Sequence, residues 1–368
     1  MRVHVIGTGL IGTSVGMALA GQMEVLLSDP SADHLRRAVA RGAGRPWDGR
    51  EHADLALVCA PPQMTAHVIA DVLGSDLAAN VSHVASQQSQ VQAEVEALVG
   101  ERARRVCGGH PLAGRERSGP DAATSRLFLD RPWVVCAGPT TGPEAAQAVV
   151  DLALTCGAVP IAATAQEHDA AVALVSHLPQ LAASAVAARL DQDAAERVGF
   201  DPTRLAGPGI QDTTRIAASD PDLWIEVLTR NAAQVAPLVR ALSADLASAA
   251  DALDRLGEQA GPPDDVRAAT AVLRGLLERG RAGRERLPLK RGVPGGFAEV
   301  VVAITDRPGQ LASVLVAAAA AEVNVEDVRV EHLPGRPRGL VELLVPAAEV
   351  ARARRALAAA GWDVLDAG

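Results

Sequence analysis

The sequence predicts a chain in three parts: an α/β region built on a parallel sheet, an all-α region, and a small α+β module at the C-terminus. Three observations predict it. Over residues 1-162 short apolar runs alternate with helical stretches, the order that βαβ units require. Over 163-286 the strand pattern gives way to helical periodicity, and over 297-368 the order becomes βαββαβ, the split arrangement of small α+β modules. A length of 368 residues exceeds what one hydrophobic core supports, which agrees with more than one domain.

The first region opens with a strand at Val3 to Ile6, followed by candidates at Val25 to Leu27, Leu55 to Cys59, Val81 to Val84, Val106 to Gly108, Trp133 to Cys136 and Val159 to Ile161. The opening strand runs into Gly7-Thr8-Gly9-Leu10-Ile11-Gly12, a G-x-G-x-x-G turn, and a helix follows through Leu19. Gly7 permits the tight turn, Gly9 lets backbone approach a pyrophosphate, and Gly12 lets helix and strand pack closely, while the helix N-terminus, starting at Leu10 and Ile11, offers N–H donors. Asp29 ends the second strand about 20 residues on, where a carboxylate accepts from ribose hydroxyls and repels a 2′-phosphate. Strand, turn, helix and acid together predict a Rossmann NAD-binding domain over 1-162, with NAD preferred to NADP.

In the second region Val235, Leu238, Leu242, Leu246, Leu253 and Leu256 recur at helical spacing and paint an apolar stripe on one long helix. So long a stripe predicts a homodimer through this region, a helical dimerisation and substrate domain over 163-286. Residues 287-296 mix Pro, Gly, Lys290 and Arg291 without periodicity and read as a linker.

Composition narrows the function. The chain is 48% hydrophobic and 21% charged with a formal net charge of −9, its arginines scattered, so disorder and nucleic-acid binding are excluded. The four cysteines sit singly in apolar runs with no His at metal-ligand spacing, which predicts buried thiols, no metal site and a reducing compartment. No apolar run reaches the ~18 to 20 residues of a membrane span, and a strand at the first residues leaves no room for a signal peptide. The expectation is a cytoplasmic protein.

Four segments place polar residues where an open α/β sheet binds ligands. They are Ser82 to Ser86, Gly109 to Gly114 around His110, His168-Asp169 with Ser176 to Gln180, and Asp212 to Ala217 around Arg215. Taken singly each has a plainer reading: a solvated His in a turn, a helix kink at His177 beside Pro179, an arginine at a helix end. Together beside a nicotinamide they supply a base, a hydroxyl, an amide and a guanidinium.

These segments carry a resemblance. GTGLIGTS at the start, HVAS at Ser86, GGHPLAGRERSG at His110, HDAAVALVSHLPQ at His177 and DTTRIAASDPDLW at Arg215 are similar, in that order, to the prephenate and arogenate dehydrogenases of tyrosine biosynthesis. The resemblance covers the first ~285 residues, and the tail, with DRPGQL at Asp306 and Val323-Asn324-Val325, resembles an ACT domain over 297-368. It implies that His110 is the catalytic base, that Ser86 places substrate and nicotinamide, and that Arg215 grips a substrate carboxylate. Beside them, His177 and Gln180 line the substrate, and Gly309 and Asn324 hold an amino-acid effector, with tyrosine the natural candidate. Two departures stand out: Gln87-Gln88 where the family usually continues with Val-Lys, and Gln180 where it often has a second histidine.

The implied reaction is NAD-dependent oxidation of a ring carbon bearing a hydroxyl, coupled to decarboxylation, giving 4-hydroxyphenylpyruvate from prephenate. A base with a pKa near neutrality suits it. Arogenate, or a modified prephenate of specialised metabolism, remains an alternative substrate. So does a catalytically silent sensor of NAD and an amino acid. A β-hydroxyacid or imine reductase is disfavoured, because it would need a lysine in the helical region and Lys290 lies in the linker.

Overall fold

The computed structural model describes residues 1-114, 117-191, 196, 198-257, 262-287, 296-332 and 338-365. The expected linker and Lys290 therefore lie almost wholly outside the described residues. The chain divides into two compact units, Met1–Leu246 and Ala247–Gly368.

The first unit is built on an eight-stranded sheet. In chain order its strands are β1 (Arg2–Ile6), β2 (Glu24–Ser28), β3 (Arg45–Pro46), β4 (Ala53–Val58), β5 (Ala78–His83), β6 (Val106–Pro111), β7 (Pro132–Cys136) and β8 (Val159–Ala162). Their order across the sheet is β3-β2-β1-β4-β5-β6-β7-β8. Val3, Val5, Leu26, Leu27, Leu55 and Leu57 are fully buried, the near-continuous apolar strands of a sheet covered on both faces. Covering it are α1 (Leu10–Leu19), α2 (Ala32–Ala40), α3 (Pro62–Gly74), α4 (Ser89–Val99) and α5 (Pro143–Thr155).

The sheet is mixed, where the sequence predicts a parallel one. β6 and β7 pair antiparallel, with His110 opposite Val134 and Pro111 opposite Trp133. A parallel partner needs a crossover of a dozen or more residues, usually a helix. The connection between these strands carries only a short 3₁₀ turn at Pro120–Ala122 among its described residues, so the chain returns beside β6 in the opposite direction.

After β8 one helical run extends over Ala165–Leu190. It comprises α6 (Ala165–Val172), a single π-helical turn at Ala173–His177, α7 (Leu178–Ala187) and a closing 3₁₀ turn. Pro179 has no N–H to donate one turn back, which accommodates the wider turn before it. The sequence offers no membrane-length apolar run, yet this helix is long and apolar enough by composition to cross one. Its buried residues nevertheless include His168, Asp169, His177 and Gln180 beside Val172 and three alanines, so the face it hides is half polar. There follow α8 (Pro208–Thr214), a 3₁₀ turn at Arg215–Ala218, α9 (Pro221–Arg230) and α10 (Ala232–Gly257), which carries Pro237 inside it. Along the predicted stripe of α10, Val235 is buried, while Leu246 and Leu253 are 58% and 57% exposed.

In the second unit α11 (Pro263–Glu285) precedes a four-stranded antiparallel sheet. That module runs β9 (Phe297–Thr305), α12 (Gln310–Ala320), β10 (Asp327–His332), β11 (Arg338–Pro346), α13 (Val350–Ala359) and β12 (Asp363–Leu365), in sheet order β10-β11-β9-β12. This is the βαββαβ order read from the sequence. The second strand begins later than Val323, because Val323 is buried in the turn that precedes it and Asn324 stands exposed there. Val300, Val302, Val314, Leu343 and Leu357 form the module's own core.

Candidate active site

The carboxyl ends of β1, β2, β4, β5 and β6 lie along one edge of the sheet, since these strands run parallel to their neighbours. That edge is where open α/β sheets bind ligands. Gly7 sits at its centre with φ +102°, and a Cβ there would lie 2.5 Å from the Cys59 carbonyl oxygen. A Cβ on Gly12 would lie 1.9 Å from the Gly7 oxygen, so only glycine lets α1 start this close to the strand. Gly9, by contrast, faces open space, and α1 begins at Leu10 with no side-chain cap and no acid in its first turn. Its first N–H groups are thus left for an anion.

Asp29 reaches back to this turn. Its Oδ2 accepts from the Thr8 backbone N–H at 2.6 Å and the Thr8 hydroxyl at 2.9 Å, and its Oδ1 from the Ser31 N–H at 2.8 Å. A carboxylate has about four acceptor positions. Three are filled, so Asp29 is rigidly aimed with one position left, on Oδ1, for a ribose hydroxyl. Open glycine, uncapped helix start and aimed carboxylate fit the adenosine diphosphate half of NAD.

His110 stands at the end of β6, half-buried. Its Nδ1 is 2.8 Å from Nε2 of His168 on α6, and the His168 Nδ1 is 2.9 Å from Oδ1 of Asp169. Asp169 also accepts from the backbone N–H groups of Gln88, at 2.8 Å to Oδ1, and Ser89, at 2.9 Å to Oδ2. One carboxylate therefore both ends the histidine chain and caps the start of α4. Burial works against its charge, but the bonds from His168, Gln88 and Ser89 hold its pKa below the usual carboxylate value.

Burial pushes the His110 pKa down to about 3, aided by the nearby His168, His83 and His177 rings and opposed by Asp169. The near-neutral value expected from the sequence does not hold: burial favours the neutral ring and makes it costly to charge. His83, on β5 beneath it, is likewise pushed down to about 4 by burial.

Ser86 lies half-buried in the loop between β5 and α4. The Gln88 side-chain N–H₂ ties that loop to the His110 strand, donating to the Ala85 carbonyl at 2.6 Å and to the Gly109 carbonyl at 3.2 Å. The departure at Gln88 thus places a neutral double donor, fully buried, where the resembling family has a lysine. Gln87 is equally buried, its amide N–H₂ 3.5 Å from the Val227 carbonyl.

His177 occupies the π-helical turn, with the Asn231 amide N–H₂ 3.2 Å from its Nδ1 and the Trp224 ring edge-on at 5.9 Å. Asn231 also donates to the Asp169 backbone carbonyl at 2.8 Å, joining this group to the His110 chain. Gln180 is 5% exposed, so it does not face solvent, and its side-chain N–H₂ lies 3.5 Å from the Ser184 hydroxyl. Arg215, in the 3₁₀ turn that packs on α7, is exposed and makes no ion pair among the described residues.

In the tail, Gly309 caps α12 with φ +88° and nothing within contact distance of a Cβ. The Asn324 backbone N–H is held by Glu349 at 3.0 Å. The four cysteines are free; three are buried and Cys59 is half-buried, with burial raising every thiol pKa, to about 12 for Cys107 and Cys156.

Three side chains of this network had no role assigned from the sequence. His168 and Asp169 were visible as a His-Asp pair in an apolar helix but carried no assigned role. Asn231 gave no signal, because it is a single polar residue between two helices.

Comparison with known proteins bears on the same residues. The family description "Prephenate dehydrogenase, nucleotide-binding domain" matches residues 18–162, and "Prephenate dehydrogenase, dimerization domain" matches residues 164–260. The "Probable prephenate dehydrogenase NovF" of Streptomyces niveus is 35% identical over 345 residues, 93% of each chain. Among solved structures, Synechocystis arogenate dehydrogenase superposes with TM-score 0.64 at 23% identity, covering 78% of this chain and 100% of that one. The prephenate dehydrogenase of Aquifex aeolicus, solved with hydroxyphenyl propionate and NAD⁺, does so with TM-score 0.60 at 22% identity, covering 76% and 98%.

Proposed function

The chain belongs to the prephenate dehydrogenase family, and from that premise we propose that it oxidises prephenate to 4-hydroxyphenylpyruvate with NAD and release of CO₂. The observation that carries the proposal is His110, a neutral imidazole backed by His168 and Asp169 at the sheet edge that also holds the glycine turn.

NAD supplies the hydride acceptor when bound. Gly9 and the start of α1 would hold its pyrophosphate and Asp29 a ribose hydroxyl. His110 then takes the proton of the ring hydroxyl as the ring carbon gives up hydride, and Ser86 orients that hydroxyl. The bond to the ring carboxylate breaks as CO₂ leaves, its electron pair completes the aromatic ring, and the resulting phenolate oxygen takes back the proton that His110 accepted. Arg215 presents a planar fork to a substrate carboxylate, so the chain contributes chiefly orientation and a base. Gln180, a buried neutral donor, suits the side-chain keto group of prephenate better than the ammonium of arogenate.

The coarser architecture extends the proposal. We infer boundaries of 1-162 for the nucleotide-binding domain, 163-286 for the helical domain, 287-296 for the linker and 297-368 for an ACT-like module. The match to a dimerization domain and the exposed Leu223, Ile225, Leu246 and Leu253 support a homodimer through the helices. The unobstructed Gly309 supports an amino-acid effector, tyrosine first, on the tail. A cytoplasmic site of action fits this chemistry.

The test is turnover. Purified protein given prephenate and NAD should release NADH, and His110→Ala should lose about 10² to 10⁴ of that rate with NAD affinity unchanged. Binding of both ligands without NADH would instead establish a sensor.

A further inference from the structure

Asp169, ionised, can only accept hydrogen bonds, so the His168 ring must carry its hydrogen on Nδ1, 2.9 Å away. The other nitrogen of a neutral imidazole is then an acceptor, and the 2.8 Å contact to His110 must be made by hydrogen on His110 Nδ1. His110 Nε2 is left as a bare lone pair. Reverse any one of these bonds and His110 would present an N–H to the substrate hydroxyl instead.

We propose that His168 and Asp169 are positioning residues that set the tautomer of His110 and draw the abstracted proton's charge inward. The inference rests on the reading of His110 as the base. The proton of the substrate O–H passes to His110 Nε2, its electron pair staying on oxygen to form the carbonyl. The Nδ1 proton of His110 passes to His168 Nε2. His110 ends neutral with hydrogen on Nε2, and His168 ends as an imidazolium against the Asp169 carboxylate.

The surroundings explain why the charge should move. His110 is faced by His83 from β5, His168 from α6 and His177 from the π-helical turn, all of which disfavour a second cation, and by Asp169 as the one anion among the described residues. Asp169 is fixed by the N–H groups of Gln88 and Ser89, so it cannot swing to meet His110, and His168 bridges the gap.

The experiment uses the full chain labelled with ¹⁵N-histidine. Ring nitrogen signals in the resting protein should show hydrogen on Nδ1 of both His110 and His168. In Asp169→Asn the side-chain oxygen can remain the acceptor shared by His168 and Gln88, so the tautomers should hold, but the charge that would face the His168 imidazolium is gone and kcat should fall about 10²-fold or more, with KM within about threefold. His168→Gln offers its carbonyl to His110 and its N–H₂ to Asp169, the same polarity as the ring. It should keep the His110 tautomer but cannot take up the His110 Nδ1 proton, so kcat should fall about tenfold or more, while His168→Leu, which loses the tautomer as well, should lose about 10²-fold or more. Hydrogen on Nε2 of His110 in the wild type, an unchanged kcat in Asp169→Asn, or a moved His110 tautomer in His168→Gln would overturn the proposal. The tautomers are read without substrate, so they stand or fall separately from the turnover of His110→Ala.

Discussion

Two histidines in the strands of the first unit should make its stability fall steeply in mild acid. His4 and His83 are each 2% exposed, and burial pushes both pKa values from 6.5 to about 4. His4 bonds through Nε2 to the Ser28 hydroxyl at 2.9 Å and lies against Trp47 at 4.6 Å, while its Nδ1 has no partner among the described residues. His83 accepts from the Ala85 N–H at 3.3 Å. Both rings are therefore held neutral. The unfolded chain binds protons from pH 6.5 downward and the folded one only near pH 4, so stability is fully present above 6.5 and declines between these values. Each ring removes about 2 kcal/mol at pH 5 and about 3 kcal/mol at pH 4 relative to pH 7, or roughly 4 kcal/mol at pH 5 for the pair. Urea unfolding followed by circular dichroism at pH 7 and pH 5 measures this loss. The double variant His4→Gln, His83→Gln carries no titrating ring and should lose about 4 kcal/mol less than wild type over the same interval. Equal losses in the two proteins would show that these rings are not the buried neutral groups described here.

Four further outcomes are expected. Arg215→Ala should raise KM for prephenate with a smaller change in kcat, because an exposed guanidinium with no ion pair among the described residues is free to pair a substrate carboxylate; steady-state kinetics showing an unchanged KM would move that role elsewhere. Gln180→Glu should lower kcat/KM for prephenate and raise it for arogenate, by a factor of about ten or more for the charge-assisted pair, and parallel changes on both substrates would remove Gln180 from substrate choice. Asp29→Ser should weaken NAD and admit NADP in equilibrium titrations, since the carboxylate that repels a 2′-phosphate is gone. Removing residues 297-368 should leave turnover and abolish any response to tyrosine; inhibition that survives would place the effector at the active site.

Much of this was legible because local chemistry and tertiary context agree. The turn from Gly7 to Gly12 demands glycine for reasons of backbone geometry alone, so the motif and its function are read together. His110 was found by its place after a strand in a glycine-rich run. What stayed hidden depends on contacts across sequence. Across the separation of 58 positions from His110 to His168 nothing signals that the two rings meet, and across the 62 from Asp169 to Asn231 nothing signals that an amide joins them. The antiparallel turn from β6 to β7 was missed because a strand's direction is not written in its apolar pattern. The burial of Gln180 follows from packing between α7 and the turns after it, which periodicity on one helix does not reveal.

The double employment of Asp169 limits how this region can change over evolution. One side chain begins a helix of the nucleotide-binding sheet and also ends the histidine chain of the helical run, while Asn231 holds its backbone from a third segment. Positions 88, 168, 169 and 231 should therefore not drift independently. A substitution that suits the helix start would disturb the histidines, and a library randomised at these four positions would return survivors as matched sets rather than as a sum of tolerated single changes.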